Sequence, residues 1–424
     1  MKLETIAIHA GYEPESGTKS VAVPLYQTAS FAFDNTQHGA DLFDLKVPGN
    51  IYSRIMNPTN DVLEQRMAQM EGGIGALTFA SGMAAITASI QAICETGDNI
   101  VSVNQLYGGT FNLFAHTFPK QGIQVRFSSG DEIESFAKLI DANTKAIFCE
   151  SIGNPLGNII DIKALADIAH SHGVPLIVDN TVATPVLCRP IEYGADIVIH
   201  SLTKYIGGHG TTIGGIIIDS GKFPWAEHKE RFAVMNEPDP SYHGVVYTEA
   251  LGDAAYIGRC RVVPLRNMGA ALSPFNALMI MQGLETLVLR MERHCENAQK
   301  VANFLNDQDN VEWVNYAGLE SSKYNQLAKT YMKGTPSGIL TFGIKGGLEA
   351  GAKFIDALQL IVRLVNIGDA KSLACHPAST THRQLNEEEL ESAGVSTDMI
   401  RLSIGIEGID DILADITQAL NAAS

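Results

Sequence analysis

The sequence predicts an α/β fold in which a large, mainly parallel sheet is followed by a smaller α/β domain. Short apolar runs alternate with helical runs from about residue 61 to 205, as they do in βαβ units. Several of these apolar runs are continuous, which indicates strands covered by helices on both faces. In such sheets ligands bind beyond the carboxyl ends of the strands. The residues that follow each strand are therefore the first candidates for a site.

Each element of the large domain has its own pattern. The predicted elements, in chain order, are helix NDVLEQRMAQME, strand GALTFA, helix SGMAAITASIQAICE, strand NIVSV, strand KAIFCES, helix DIKALADIAHSHG, strand VPLIVDN and strand ADIVIHS. Glycines close the first and third helices, as is usual at a helix end. In the last third of the chain, runs such as SGILTFGIK and DMIRLSIGIE predict the strands of a second, smaller domain.

The chain is expected to divide into three parts. Residues 1–60 are rich in turns and form an N-terminal arm that contacts a neighbouring subunit. Residues 61–286 form the cofactor-binding domain, with an insertion at about 221–266 where aromatic and proline-containing loops interrupt the pattern. Residues 287–424 form the C-terminal domain. The boundary near residue 286 falls within a helical pattern that is too long for one unbroken helix inside a single domain.

Composition excludes several classes of protein. The chain has 424 residues and a formal net charge of −17, which disfavours nucleic acid and anionic membranes as partners. The N-terminus lacks a signal-peptide pattern, and no run approaches the length of a membrane span. Six scattered cysteines fit reduced thiols in a cytoplasmic protein. No metal site is expected, and His170 and His172 are interpreted as surface residues.

Two charged residues lie at the ends of apolar strands. Asp179 ends VPLIVDN, and Lys204 follows ADIVIHS. A charge at the edge of an apolar core is costly unless it is paired. Either the two residues pair with each other, or both serve one ligand. A pyridine cofactor uses such a pair, because a carboxylate keeps the ring nitrogen protonated and a lysine binds the cofactor covalently.

A phosphate site is suggested by the turn after strand GALTFA. Ser81, Gly82 and Met83 open a helix whose backbone N–H groups suit an anion. The alternative is an ordinary N-cap serine. Ser201 and Thr203 add two hydroxyl groups just before Lys204. The first βα turn has no GxGxxG, which disfavours a dinucleotide and an NAD-linked dehydrogenase.

Arg401 is the one basic residue in the acidic C-terminal stretch. From Gln384 to Ser424 there are nine acidic residues, and Arg401 lies within the apolar strand pattern MIRLSIGIE. A partly buried guanidinium needs an anion. That anion is either a nearby carboxylate of the chain or the α-carboxylate of an amino-acid substrate.

Six separated motifs resemble one known family. FASGMAAI, YGGT, ESIGNP, VDNTVATP, HSLTKYIGGH and RLSIGIE have the order and spacing of the cystathionine γ-synthase-like, pyridoxal-phosphate-dependent enzymes of cysteine and methionine metabolism. The similarity runs nearly end to end. It implies a fold-type I transferase (aspartate aminotransferase-like), with pyridoxal 5'-phosphate (PLP) as cofactor. It also implies a homo-oligomer, expected to be a tetramer built from dimers that share active sites.

The resemblance implies a role for each matching residue. Lys204 is the Schiff-base lysine and moves protons, Asp179 pairs with the ring nitrogen, and Tyr107 stacks on the ring and acts as an acid or base. The implied cofactor-binding residues are Lys204, Ser81, Gly82, Met83, Tyr107, Asp179, Thr181, Ser201, Thr203, Tyr52 and Arg54, of which Tyr52 and Arg54 reach the phosphate of the neighbouring subunit. The implied substrate-binding residues are Asn154, Ser372 and Arg401.

Departures from the family pattern indicate which branch the chain resembles. Methionine γ-lyases carry a cysteine where this chain has Gly109, and cystathionine synthases and lyases have SLGG where it has KSLACHPASTTH. The resemblance therefore favours γ-replacement on O-acetyl-L-homoserine with sulfide or a small thiol. A γ-lyase or a cystathionine γ-synthase is the alternative. A binding protein without turnover is disfavoured by Lys204, Tyr107 and Arg401 together. Cys375 is interpreted as a structural thiol.

Overall fold

The structure is a computed structural model that describes residues 1–44, 46–380 and 396–423. The end of the KSLACHPASTTH segment, from Thr381 on, and the acidic run Glu387–Glu391 lie outside the described residues. The strands are β1 Gly75–Phe79, β2 Asn99–Val103, β3 Gln124–Ser128, β4 Thr144–Glu150, β5 Leu176–Asp179, β6 Ile197–Ser201, β7 Gly215–Asp219, β8 Val311–Asn315, β9 Ile339–Ile344, β10 Val362–Arg363, β11 Leu373–Cys375 and β12 Met399–Ser403.

Helices cover both sheets and fill the segments between strands. The α-helices are α1 Leu3–His9, α2 Thr36–Phe43, α3 Pro58–Glu71, α4 Gly82–Gln91, α5 Gly108–Asn112, α6 Ile162–Ser171, α7 Thr184–Leu187, α8 Ala233–Asn236, α9 Tyr247–Leu251, α10 Ala255–Cys260, α11 Arg266–Met268, α12 Pro274–Glu285, α13 Leu287–Asn306, α14 Asn325–Met332, α15 Gly347–Ala357 and α16 Ile409–Ala423. Short segments of 3-10 or π-helix lie at Leu113–Thr117, Phe118–Gln121, Ile133–Leu139, Pro190–Tyr193, Trp225–Glu227, Gly252–Ala254, Arg261–Leu265 and Pro377–Ser379.

The large sheet has the order β1-β7-β6-β5-β4-β2-β3. Strand β7 is antiparallel to both of its neighbours, and the other pairs are parallel. The predicted mainly parallel sheet is therefore confirmed, and β3 and β7 are additions that the pattern did not indicate. Strands β4, β5 and β6 lie side by side, so their carboxyl ends form one edge.

Local signals explain where the helices of this sheet begin and end. Asn57 caps α3 by accepting a hydrogen bond from the Thr59 N–H at 2.9 Å, and Pro58 occupies its first turn. Gly72 ends α3 with a φ of 80°, a left-handed conformation that favours glycine. Ser81 caps α4 in the same way. These caps fix the loops that lead into the carboxyl edge of the sheet.

The second sheet has the order β10-β11-β12-β9-β8 and packs on its own apolar cluster. Only its β10 and β11 pair is parallel. The long helical pattern breaks at Thr286, since α12 ends at Glu285 and α13 begins at Leu287. Residues of α12 belong to the apolar cluster of the large sheet, and the second half of α13 belongs to that of the small sheet.

The N-terminal segment and the insertion both pack on the large sheet's core. Ala7 of α1 is fully buried in that core, and the Ala10 carbonyl accepts a hydrogen bond from Arg66 Nε at 2.9 Å. In the insertion, the rings of Trp225 and Tyr256 stack at 5.5 Å within the same core. Across the described ranges, no helix is both long enough and apolar enough to cross a membrane.

Candidate active site

Lys204 and Asp179 both lie at the carboxyl edge of the large sheet, as predicted, but they do not pair with each other. The Lys204 Nζ atom donates to Asn366 Oδ1 at 2.5 Å. No ion pair joins Lys204 to any carboxylate in the described part of the chain. Of the two interpretations of these charges, the structure therefore supports the one in which both serve a ligand.

Lys204 has the electrostatic character of a reactive amine. Burial disfavours its ammonium form, and the positive charge of Arg401 adds to this effect. Together they lower the pKa of Lys204 to about 8. A substantial fraction of the amine is then neutral near physiological pH, which nucleophilic attack on an aldehyde requires.

Asp179 is held in place by Thr181. The Thr181 N–H donates to Asp179 Oδ1 at 2.9 Å, and the Thr181 hydroxyl oxygen accepts a hydrogen bond from the Ser201 N–H at 2.8 Å. Burial raises the pKa of Asp179, and the Thr181 hydrogen bonds oppose that rise. Thr181 thus joins the ends of β5 and β6 and orients a half-buried carboxylate that a cationic ligand group would stabilise.

The predicted phosphate turn has a close contact with the end of β6. Ser81 accepts a hydrogen bond from the Ala84 N–H at 3.1 Å, as an N-cap residue does. A Cβ atom at Gly82 would lie 2.7 Å from Ser201 Cβ, so only glycine fits there. The Thr203 hydroxyl accepts a hydrogen bond from the Gly214 N–H at 3.1 Å. The structure therefore brings Ser81, Gly82 and Ser201 together, while Thr203 ties the lysine loop to β7.

Tyr107 lies at the start of α5, and half of its side chain is exposed. Its N–H donates to Glu150 Oε1 at 2.7 Å. A Cβ atom at Gly109 would lie 2.5 Å from the Tyr107 ring, so the ring position depends on a glycine there. Met83 contacts the same helix, with its sulfur 4.0 Å from the Thr110 hydroxyl.

Glu150 is a site residue that the sequence analysis missed. It ends β4 directly opposite Asp179 in the register of the parallel pair, so both side chains point to one face of the sheet. Burial raises the pKa of Glu150 well above its ordinary value, and the neighbouring charge of Asp179 raises it further. The rule that selected Asp179, a carboxylate at the end of an apolar strand, also applies to KAIFCES and could have found it.

Arg401 lies in β12, and its side chain is 8% exposed. Its Nη1 atom donates to Asn154 Oδ1 at 3.0 Å, and its Nη2 atom donates to the Asn366 carbonyl at 3.3 Å. Among the described residues it forms no ion pair with a carboxylate. The chain thus supplies neutral oxygens to a buried cation, which favours the interpretation that an anionic ligand completes the site.

Cys375 pairs opposite Arg401 in register, and burial raises the pKa of its thiol, as fits an unreactive cysteine.

Asn366 lies beside Lys204 and Arg401, although the sequence patterns did not select it. The hydroxyl of Ser372, which was selected, instead forms hydrogen bonds with other residues of the chain. Ser372 Oγ donates to Glu407 Oε2 at 2.9 Å and accepts from the Gly405 N–H at 2.8 Å. Asn366 contacts both Lys204 and Arg401. It lies in a loop after β10, where no strand-end pattern marks it.

Tyr52 and Arg54 are the two cofactor candidates that come from the N-terminal segment. Both are exposed, and the Arg54 guanidinium lies 5.4 Å from the centre of the Tyr52 ring. Arg54 also donates to the Arg266 carbonyl. Their exposure agrees with the expectation that they act in a neighbouring subunit.

The donor set at this edge fits PLP. A half-buried amine with a lowered pKa suits the aldehyde, a half-buried carboxylate suits the ring nitrogen, and a capped helix start with a glycine cradle suits the phosphate. A buried guanidinium close to the amine suits the carboxylate of an amino acid.

Comparison with known proteins agrees with this site. Residues 4–421 match the family described as Cys/Met metabolism PLP-dependent enzyme, and the chain belongs to that family. The predicted fold-type I class and the PLP cofactor are thereby confirmed.

Named relatives cover nearly the whole chain. It is 51% identical over 421 residues to a homocysteine synthase of Schizosaccharomyces pombe, covering 99% of this chain and 98% of that protein. It is 51% identical over 422 residues to O-acetyl-L-homoserine sulfhydrylase 1 of Thermus thermophilus, covering 99% and 100%. A crystal structure of a protein described as an O-acetylhomoserine (thiol)-lyase of Campylobacter jejuni, containing N'-pyridoxyl-lysine-5'-monophosphate, has a TM-score of 0.95. It is 44% identical and covers 99% of this chain and 100% of that chain.

Proposed function

We propose that this enzyme replaces the acetate of O-acetyl-L-homoserine with sulfide, giving L-homocysteine and acetate, or with a small thiol such as methanethiol, giving methionine. One observation carries the proposal. Asn366 contacts both the amine of Lys204, whose pKa is lowered, and the buried guanidinium of Arg401. Relatives of about 50% identity with sulfhydrylase or homocysteine synthase names support the same reaction.

The substrate carboxylate is assigned to Arg401. Its two nitrogens already contact Asn154 and Asn366, which hold the guanidinium plane fixed for bidentate binding. Asn366 therefore joins Asn154 and Arg401 as a proposed substrate-binding residue. Ser372 supports this loop through Glu407.

Lys204 is assigned the proton transfers at the substrate. When bound, PLP supplies an electron sink for the charge that develops at the substrate Cα. Lys204 removes the Cα proton and moves protons at Cβ, and its lowered pKa lets it act as a base near neutral pH. Asp179 stabilises the protonated ring nitrogen.

The assembly and location are part of the same proposal. We infer a homo-oligomer, a tetramer built from dimers, in which Tyr52 and Arg54 complete the phosphate site of the neighbouring subunit. The arm up to residue 60 and the insertion at 221–266 belong to this arrangement, around a cofactor domain that ends near residue 286. A cytoplasmic location agrees with six buried free cysteines.

The test is product identification with purified protein. O-acetyl-, O-succinyl- and O-phosphohomoserine are each combined with sulfide, methanethiol or cysteine, methionine is incubated alone, and the products are identified by mass spectrometry. The proposal predicts homocysteine and acetate as the main products of O-acetylhomoserine and sulfide. Cystathionine from O-succinylhomoserine and cysteine, or 2-oxobutanoate from methionine alone, as the dominant product would overturn it in favour of the alternative activities.

A further inference from the structure

A second buried polar cluster lies on the face of the large sheet opposite the candidate site. Glu71 ends α3, and its Oε1 atom accepts hydrogen bonds from His200 Nε2 at 2.7 Å and from Asn180 Nδ2 at 2.9 Å. Ser151 donates to Asn180 Oδ1 at 2.8 Å. All four side chains are fully buried. These four residues are called the rear cluster below, and none of them has a role in the proposed chemistry.

Three residues of the rear cluster lie in a strand or directly after one, and each is the neighbour in the chain of a site residue. Asn180 follows Asp179, His200 precedes Ser201, and Ser151 comes directly after the end of β4. Side chains along a strand alternate between the two faces, so the rear cluster and the site share one stretch of backbone from opposite sides. A displacement of Asn180 or His200 therefore displaces Asp179 or Ser201.

Main-chain hydrogen bonds tie the same three strand ends together. The Asn180 N–H donates to the Ile199 carbonyl at 2.8 Å, and the Ser151 N–H donates to the Asp179 carbonyl at 3.0 Å. Glu71 adds a side-chain link between β5 and β6 that comes from outside the sheet. The cluster thus sets the spacing of β4, β5 and β6 at the edge where the ligand binds.

The rear cluster is poorly suited to a role in stability alone. Within the described chain, Glu71 Oε2 and His200 Nδ1 have no hydrogen-bond partner although both are buried. Unsatisfied buried polar atoms reduce stability, and well-packed apolar residues often replace buried ionic pairs without loss. Proteins keep such unfavourable groups mainly at functional sites.

We propose that Glu71 and His200 are positioning residues that hold Asp179 in line with the ring nitrogen of PLP. The inference rests on the proposed role of Asp179. His200 lies close enough to Asp179 to lower the pKa of that carboxyl group, which favours the ionised form that the ring nitrogen needs. Cys188 is a further titratable residue close to Glu71, and its main-chain carbonyl accepts a hydrogen bond from the Asn180 side chain.

The test measures PLP binding to the apoprotein, together with the melting temperature. His200→Phe removes the hydrogen-bond donor and is expected to raise the dissociation constant of PLP about 10-fold, which is at the lower end of the losses seen when residues that orient metal ligands are replaced. His200→Gln keeps an N–H donor near the same place and is expected to restore most of the affinity. Restored affinity in His200→Gln would show that the hydrogen bond of residue 200, and not only the volume of its side chain, supports PLP binding.

Tyr247→Phe is the matched control. It removes a buried hydrogen bond of 2.8 Å to Asp239 in the insertion, far in the chain from the site residues. It is expected to lower the melting temperature and leave PLP affinity unchanged. PLP affinity at the wild-type level in His200→Phe, or a loss no larger than in the control, would overturn the proposal.

Ser151→Ala keeps the test decisive if His200→Phe does not fold. Loss of one hydroxyl at the edge of the rear cluster is expected to weaken PLP binding by less than His200→Phe but measurably, and unchanged binding would overturn the proposal. The experiment measures cofactor affinity and does not depend on turnover. If the wild type showed no sulfhydrylase activity, the proposed function would be wrong, but the effect of these variants on PLP binding would still test the positioning role.

Discussion

Lys204 and Arg401 are joined through a single residue, Asn366. The Asn366 side-chain oxygen accepts from the Lys204 amine at 2.5 Å, and its main-chain carbonyl accepts from the Arg401 guanidinium at 3.3 Å. The proposed base and the proposed carboxylate receptor therefore belong to different sheets but contact one loop. In the proposed function, an amino acid bound at Arg401 would have its α-carbon within reach of the lysine.

The first prediction concerns the pH dependence of cofactor attachment. The pKa of Lys204 is lowered to about 8, and only the neutral amine attacks the aldehyde. As pH rises through 8 the neutral fraction increases, so the rate of PLP attachment to apoprotein should rise with a midpoint near 8 and then level off. Stopped-flow absorbance in the visible range measures this rate.

Arg401 provides the control for that profile. Arg401→Gln removes the second cause of the lowered pKa, so the midpoint should move to higher pH, whereas Arg401→Lys keeps a positive charge and should move it less. A midpoint that stays in place in Arg401→Gln would contradict the electrostatic link between the two residues.

The second prediction separates Asn154 from Ser372 as substrate-binding residues. Asn154 Oδ1 accepts a hydrogen bond from Arg401 Nη1 at 3.0 Å, and a hydrogen bond to a charged group contributes about 1.5–3 kcal/mol. Asn154→Ala should therefore raise the KM for O-acetylhomoserine about 10- to 100-fold. Ser372→Ala should leave KM nearly unchanged and lower the melting temperature, since one of its two hydrogen bonds to Glu407 is lost. A KM raised as much in Ser372→Ala as in Asn154→Ala would support the substrate-binding role that the resemblance implies for Ser372.

The third prediction concerns Gly109 and the ring of Tyr107. A Cβ atom at residue 109 would lie 2.5 Å from that ring, whereas a Cβ atom at Gly108 meets no atom within 4 Å. Gly109→Ala should displace the ring and lower kcat about 10- to 100-fold. Gly108→Ala serves as the matched control in the same turn and should keep kcat. Equal rates in the two variants would show that ring position does not matter.

The fourth prediction tests the shared active site. Arg54→Ala and Lys204→Ala should each be inactive alone, because each removes one part of every site. Unfolding and refolding the two variants together should restore about a quarter of the sites, since half of random dimers are mixed and each has one intact site. Activity that stays absent in the refolded mixture would mean that Arg54 serves its own chain.

Part of the candidate site could be predicted from the rule that ligands bind at the carboxyl ends of parallel strands, and part of it could not. Asp179 and Lys204 could be predicted because parallel strands bring their carboxyl ends to one edge. Glu150 obeys the same rule and was overlooked. Asn366 could not be found this way, because it comes from the second sheet's loop and its partners are set by tertiary packing. The antiparallel position of β7 was likewise not predicted, since a short apolar run gives no strand direction.

The most direct measurement is to locate the cofactor on the chain. Reduction of the loaded protein with borohydride fixes PLP to its lysine, and mass spectrometry of the peptides identifies that residue. A pyridoxyl phosphate group is expected on Lys204, with no label in Lys204→Ala. A label on a different lysine, or a Lys204→Ala variant that retains the visible absorbance band and turnover, would contradict it.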